Sequence, residues 1–296
     1  MRQQPDTGQG RPARRRGGGL RIWVLLAFIA YGAWYWYSNQ SVDPVTGENV
    51  LIDRNLSTED EKALGLQAYQ QILQQERWVD PDATISREIR NIAERLVAKV
   101  EVVEAALAAE HGMEPTRFSA DFDWEVNVID SDQANAFALP GGKMAVYTGL
   151  VPVAQNEDAM AVVMGHEIAH AVLRHGAQRM AQQRLSQIGQ AAGAFSGMDP
   201  QQQQMVMAAM GYGYLLPYAR KHETEADEVG LMLAAAACFD PRESVPLWQR
   251  MGQGSGGQAP PEFASTHPSS ATRIANLEAL MPKALEYRER FCEQAR

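Results

Sequence analysis

The sequence predicts an α+β fold that is mainly α-helical and contains a small β-sheet. Apolar residues recur at helical spacing in several long segments, and one region between residues 122 and 148 instead alternates apolar with polar residues. A chain of 296 residues, 45% of them hydrophobic, is long enough to bury a substantial core. Helices are therefore expected to form most of the fold, and strands only in the alternating region.

The N-terminal segment predicts a membrane anchor. Residues 1–19 are basic and glycine-rich and are expected to be disordered, while residues 20–37 contain an uncharged run that starts at Ile22 and ends in aromatic residues. Arginines before such a run and aromatic residues at its end are typical of a single transmembrane helix. We expect an uncleaved signal anchor in a bacterial inner membrane, with a cytoplasmic N-terminus and a periplasmic catalytic domain. A cleaved signal peptide, which would release a periplasmic protein, is the alternative, and a mitochondrial inner membrane is less favoured.

The remainder divides into a turn-rich linker over residues 38–56 and one domain over residues 57–296. Ser57 and the acidic residues after it predict a helix that runs through Gln75, and a second helix is expected from Ile85 to Glu110. Two closing helices are expected near residues 270–280 and 283–294. Residues 1–21 carry a net charge of +5, so the total of −9 leaves −14 on the remainder, which argues against nucleic acid as a partner.

Two short strands are expected before the most informative helix. Phe122 to Ile129 mostly alternates, and Met144 to Thr148 resembles a second strand. The segment between them contains Pro140, which a central strand tolerates poorly, so the residues before it are more consistent with a sheet edge. A substrate backbone can pair with an exposed edge as an added strand, although an ordinary β-turn explains the segment equally well.

The stretch MGHEIAHAVLRH contains three of the six histidines of the chain. On a helix from Glu157 to Gln178, His166 and His170 would share one face, and His175 would point the other way. Two imidazoles one turn apart can bind one Zn2+, and Glu167 can then act as general base on a water, which is the H-E-x-x-H arrangement. The alternative is a buried helix with hydrogen-bonded histidines.

A catalytic zinc site needs a third protein ligand. We favour Glu223, at the start of an apolar helix, with Asp227 one turn later on the same face to support a ligand. A solvated acidic helix start explains the same residues. The other candidates are the two cysteines and three further histidines: Cys238, Cys292, His111, His222 and His267. The two cysteines could instead form a disulfide or be unrelated buried thiols.

Three motifs resemble metallopeptidase family 48, which includes HtpX, the CAAX prenyl proteases and the BepA and LoiP proteases. They are NAFALPGGKMAVYTGL, HEIAHAVLRHG and HETEADEVGLML. The resemblance extends from about Thr46 to Arg273 and implies a zincin-like zinc metallopeptidase domain. It implies His166, His170 and Glu223 as zinc ligands and Glu167 as the catalytic base. It also implies Asp227 beside the ligands and a substrate cleft along Asn135, Ala136, Phe137 and Ala138.

Two further residues acquire expected roles from the same resemblance. His267, in STHP, matches a histidine that in related proteins reaches the metal and closes the site, although it could also be a plain loop residue. Arg273 is expected to stabilise the site or to cap a helix.

The predicted function is that of a membrane-anchored zinc endopeptidase. It would cleave unfolded or misassembled envelope proteins, with protein or peptide substrates and the membrane as partners. The alternative is a membrane-anchored chaperone or assembly factor whose zinc site is closed and weakly active. The sequence makes no prediction of oligomeric state.

Overall fold

The computed structural model describes residues 21–116, 118–253, 267 and 271–292. The predictions for residues 1–19 and for the C-terminal four residues lie outside this range. Eleven α-helices, α1 to α11 in chain order, occupy the described residues: Ile22–Ser38, Thr58–Gln75, Thr84–Val97, Val100–Glu110, Val151–Ala154, Glu157–Val172, His175–Ser196, Pro200–Met210, Leu216–Ala236, Ser244–Gln253 and Ala271–Cys292. Five strands, β1 to β5, are Gln40–Val42, Asn49–Leu51, Glu125–Ile129, Ala136–Leu139 and Lys143–Tyr147. The expected mainly helical α+β fold is confirmed.

Helix α1 corresponds to the expected membrane anchor. It packs along α7, where the rings of Phe28 and Phe195 stack with their centroids 6.1 Å apart. Within the described residues, no helix is both long enough and apolar enough to cross a membrane, contrary to the predicted span. Contact of this helix with a membrane stays a prediction. The expected linker after it contains a two-stranded antiparallel sheet of β1 and β2.

The helix expected from Ile85 to Glu110 is two helices. The chain leaves α3 at Ala98 and starts α4 at Val100. Lys99 lies between them, and its Nζ donates to the carbonyl oxygen of Phe291 at 3.0 Å. The helix is thus interrupted where Lys99 contacts Phe291, which is distant in sequence, and apolar periodicity alone did not indicate this interruption. By contrast, α2 begins as predicted, with a capping box between Ser57 and Asp60.

A three-stranded sheet lies next to the helical core. Strand β5 is central, paired in parallel with β3 and antiparallel with β4. Strand β4 is an edge strand and ends at Leu139, directly before Pro140, as expected for a residue that cannot donate a ladder hydrogen bond. The strand expected from Phe122 begins only at Glu125.

Helices α6 and α9 cross in close contact at two glycines. A methyl group on Gly165 would lie 2.7 Å from the carbonyl oxygen of Gly230, and one on Gly230 would lie 2.6 Å from the backbone nitrogen of His166. Only residues without a side chain allow backbones to approach this closely. The crossing therefore places the N-terminal half of α9 directly over the histidines of α6.

Helix α6 ends earlier than the sequence predicts. It stops at Val172, Arg174 adopts a left-handed conformation with φ of 55°, and α7 starts at His175. The guanidinium of Arg174 pairs with the carboxylate of Glu61, whose side chain is fully buried. This ion pair holds the turn, so the helix predicted to continue to Gln178 changes direction and His175 does not follow the face assigned to it.

The C-terminal region is one helix rather than two. Helix α11 runs through Pro282 without interruption. A disulfide joins Cys238, just after α9, to Cys292 at the end of α11. Of the two alternatives for the cysteines, the disulfide is therefore the one present, and it ties α11 to the core.

Candidate metal centre and catalytic site

Three side chains from two helices converge at one point. The Nε2 atoms of His166 and His170, one turn apart on α6, are 3.0 Å from each other. Glu223 reaches them from α9, with one carboxylate oxygen 3.5 Å from His166 Nε2 and the other 3.5 Å from His170 Nε2. The structure thus brings together the three residues expected to bind metal.

His267 is a fourth member of the cluster. Its Nδ1 lies 2.7 Å from Glu223 Oε2 and 3.2 Å from His166 Nε2. One donor atom from each of the four side chains lies within 4.8 Å of the others, an arrangement that can hold a metal ion. The structure therefore places His267 beside the expected ligands, and its gating role stays a prediction.

The donor set fits zinc. Ligands about 2.0–2.1 Å from a tetrahedral ion are about 3.3–3.4 Å apart, close to the 3.0–3.5 Å separations among the atoms of His166, His170 and Glu223. The contact of His267 with Glu223 is shorter, at 2.7 Å. Imidazole nitrogen and carboxylate oxygen are also among the donors that zinc takes. Packing several acceptor atoms at such distances is otherwise unfavourable, because their lone pairs repel unless a proton or cation lies between them.

The charges around His166 and Glu223 favour a cation. Burial lowers the pKa of His166, but its hydrogen bonds to Asp227 and Glu223 outweigh that effect and raise it to about 9. Burial raises the pKa of Glu223, yet hydrogen bonds to His166 and His267 hold it far below its usual range. The carboxylates therefore stabilise positive charge at the centre, which a metal ion would supply in place of the proton.

Asp227 orients one of the histidines. Its Oδ1 lies 3.0 Å from His166 Nδ1, the nitrogen opposite the cluster. Arg273, from α11, donates to Asp227 Oδ1 at 2.5 Å and to Glu223 Oε2 at 3.2 Å, with its guanidinium over the Trp248 ring. Arg273 thus bridges the carboxylates of Asp227 and Glu223. The roles expected of both residues stay predictions.

His175 contacts the other histidine, His170, and this role of His175 was not predicted from the sequence. Its Nδ1 lies 2.7 Å from His170 Nδ1, and its Nε2 lies 3.3 Å from Glu225 Oε2. Burial lowers the pKa of His175 to about 3, so the ring is neutral and can accept the proton of His170 Nδ1. The sequence analysis placed His175 on the opposite face from His166 and His170 because it assumed one continuous helix through residue 178.

Glu167 points into a cavity of about 400 Å³ beside the cluster. Its Oε1 is buried, and Nε2 of His267 lies 3.6 Å from it. Burial raises the pKa of this carboxyl group, as suits a group that takes up a proton. The cavity is also lined by the four residues expected along the cleft: Asn135, Ala136, Phe137 and Ala138.

The remaining ligand candidates have other partners. Cys238 and Cys292 form the disulfide. His222 stacks on His175 at 4.1 Å and bonds to Gln178, and the His111 ring lies against Gly47. Neither histidine belongs to the metal cluster.

A model of peptidase family M48 matches residues 95–281. The chain is 35% identical over 272 residues to mitochondrial metalloendopeptidase OMA1 of Schizosaccharomyces pombe, covering 90% of this chain and 74% of that protein. It is 30% identical over 293 residues to the human metalloendopeptidase OMA1, covering 92% and 50%. The beta-barrel assembly-enhancing protease of Escherichia coli is 30% identical over 159 residues, covering 50% and 32%.

The predicted location is wrong. The relatives matched over nine-tenths of the chain include yeast and human proteins named as mitochondrial. Arginines before an apolar run are common to several targeting routes, so they did not identify the compartment.

The expected family and chemistry are confirmed. The family model covers more than half of the chain, and the described residues contain a cluster of three histidines and a glutamate that can hold the metal on which such enzymes depend. The chain is therefore a zinc metalloendopeptidase that belongs to peptidase family M48.

Proposed function

We propose that the protein cleaves unfolded or misassembled protein chains, with His166, His170 and Glu223 as zinc ligands and Glu167 as catalytic base. The observation that carries the assignment of roles is the convergence of the three proposed ligands beside a cavity that Glu167 and residues of an edge strand also line. Bound zinc supplies a Lewis acid that polarises the scissile carbonyl and acidifies water.

The Glu167 carboxylate takes the proton of the attacking water. Its elevated pKa, caused by burial, allows it to hold that proton and then to return it to the leaving amine. Asp227 and His175 keep the rings of His166 and His170 in fixed orientations through their outer nitrogens.

The edge strand explains why the substrate would be an unfolded chain. One side of β4 pairs with β5, and an extended peptide can add to the other side through backbone hydrogen bonds. Backbone pairing is independent of side-chain identity but requires an extended segment, which folded proteins seldom expose. Loose sequence preference and selectivity for unfolded chains follow from the same contact.

Glu167→Gln tests the assignment. The amide preserves size but cannot take a proton, so cleavage of labelled, unfolded casein should be lost while zinc content stays unchanged. Glu157→Gln is the matched control, because Glu157 lies on the same helix but is exposed and pairs with Arg95. Casein cleavage by Glu167→Gln at the parent rate would refute the role of Glu167.

A closed site is the second candidate, and the position of His267 favours it. With His267 as fourth ligand, a tetrahedral ion would have no open position, and the protein would bind clients and cleave little. His267→Ala should then raise the cleavage rate several-fold, whereas His111→Ala, at an exposed histidine outside the cluster, should not. An unchanged rate in His267→Ala would count against a closed resting state.

A further inference from the structure

The catalytic cavity continues into a groove between α7 and the start of α9. The groove has a volume of about 490 Å³ and shares Arg179, Gln182 and Ala219 with the catalytic cavity. A chain that leaves the cavity on this side therefore enters the groove directly.

One wall of the groove is a row of glutamines on α7. Gln183, Gln187 and Gln190 lie three or four residues apart, so they occupy one helical face, and all three are exposed. Each amide has both donors and acceptors, and so it can pair with the N–H or the C=O of any backbone. The wall is suited to binding a peptide without regard to its sequence.

The opposite wall is apolar and irregular. Leu215 ends a five-residue π-helical segment, Gly211–Leu215, and Leu216 begins α9. Single π-helical turns are rare and occur frequently at functional sites. This wall offers contact to apolar side chains that an unfolded chain exposes.

Gln182 marks the junction of the two spaces. Its side chain lines both, and Nε2 is buried beside the Tyr218 hydroxyl, which can accept at most one of the two N–H groups of this amide. An unsatisfied buried donor is costly, and a substrate carbonyl passing this point would satisfy it.

We infer that this groove is an extended substrate-binding site that holds an unfolded polypeptide on one side of the scissile bond. The inference rests on the proposed function, and it assigns to the groove the substrate residues that lie outside the metal cleft. From Arg179 to Gln190 the helix rises about 16 Å, which corresponds to about five residues of extended chain. Substrates that extend about five residues beyond the metal cleft should therefore bind more tightly than shorter ones.

The test uses the full chain with two of the three glutamines of the row replaced, Gln187→Ala/Gln190→Ala. The control is Gln201→Ala/Gln204→Ala, which removes two exposed glutamines from α8, outside the groove. The substrates are three quenched fluorescent peptides with the same cleavable core. One has six residues, and the other two have fourteen, one extended on the N-terminal side of the core and one on the C-terminal side. We expect kcat/KM for one of the fourteen-residue peptides to fall about tenfold in the groove variant, with no change for the six-residue peptide.

A binding measurement separates this inference from the proposed function. Affinity of the fourteen-residue peptides is measured in the Glu167→Gln background, where cleavage is absent, so the groove is tested even if the parent cleaves no peptide. Three results would each overturn the inference. The groove variant could lose kcat/KM or affinity equally for short and long peptides, the α8 control could show the same loss as the groove variant, or every long peptide could bind the groove variant as tightly as before. Failure of the parent to cleave any peptide, with groove-dependent binding intact, would refute only the proposed function.

Discussion

Replacing His175 by alanine tests how the metal centre is held. The His175 ring is fully buried and its Nδ1 lies 2.7 Å from Nδ1 of His170, the nitrogen that faces away from the metal cluster. The variant leaves His170 without this partner, so the ring is free to turn and its buried N–H is unsatisfied.

The size of the effect follows from that one contact. An unsatisfied buried donor costs about 1–3 kcal/mol, and a factor of ten in affinity corresponds to about 1.4 kcal/mol. We therefore expect zinc affinity to fall about 10- to 100-fold, the range typical when the outer partner of a metal-binding histidine is removed.

Competition with a chelator of known zinc affinity measures this change, and the absorption spectrum of the cobalt-substituted protein reports the ligand geometry. His222→Ala is the control. His222 is also buried and stacks on His175, so its removal leaves a similar cavity without taking a partner from His170. Parent-like zinc affinity in His175→Ala, or an equal loss in His222→Ala, would refute the reasoning.

Three further predictions concern the third ligand and two buried acids. Glu223→Ala should reduce zinc from about one ion per chain to a small fraction, measured by elemental analysis. Arg174→Ala leaves the buried Glu61 carboxylate unpaired and should lower the free energy of unfolding by about 3–5 kcal/mol in urea titrations. Burial raises the pKa of Glu104 to about 7 from an ordinary 4.5, so the folded state holds a proton that the unfolded state releases. Stability should therefore fall as pH rises from about 4.5 to about 7, and Glu104→Gln should flatten that fall in unfolding curves.

Each of these has a clear contrary result. Full zinc content in Glu223→Ala would remove it from the ligand set, and an unchanged free energy of unfolding in Arg174→Ala would mean that water replaces the ion pair. A pH profile unaffected by Glu104→Gln would mean that other groups set it.

The part of the site that depends on one helix was predictable. His166, Glu167 and His170 need only helical spacing to present two imidazoles and a carboxylate close together, and the structure has that helix from Glu157 to Val172. The edge strand before Pro140 was predictable for a similar reason, because proline limits which strand positions are possible.

His175 was not predictable because its position depends on a distant residue. The chain reverses at Arg174 in a left-handed conformation that glycine adopts easily and arginine seldom does, so the local sequence carries no turn signal. Glu61, 113 residues earlier, supplies the buried carboxylate that pairs with Arg174. A pattern read over one helix cannot include that contact.

The third ligand illustrates the same limit more sharply. By periodicity alone, a solvated acidic turn was the better explanation for Glu223, and only the family resemblance turned the balance towards a ligand. The physical reason lies in the contact of Gly165 with Gly230, where a single methyl group would meet backbone atoms at 2.6–2.7 Å and force the helices apart. Glu223 lies about two turns before Gly230, so that separation would draw its carboxylate away from His166 and His170. Two glycines thus decide whether an acidic helix start becomes part of a metal centre, and their pairing is visible only once the helices are packed.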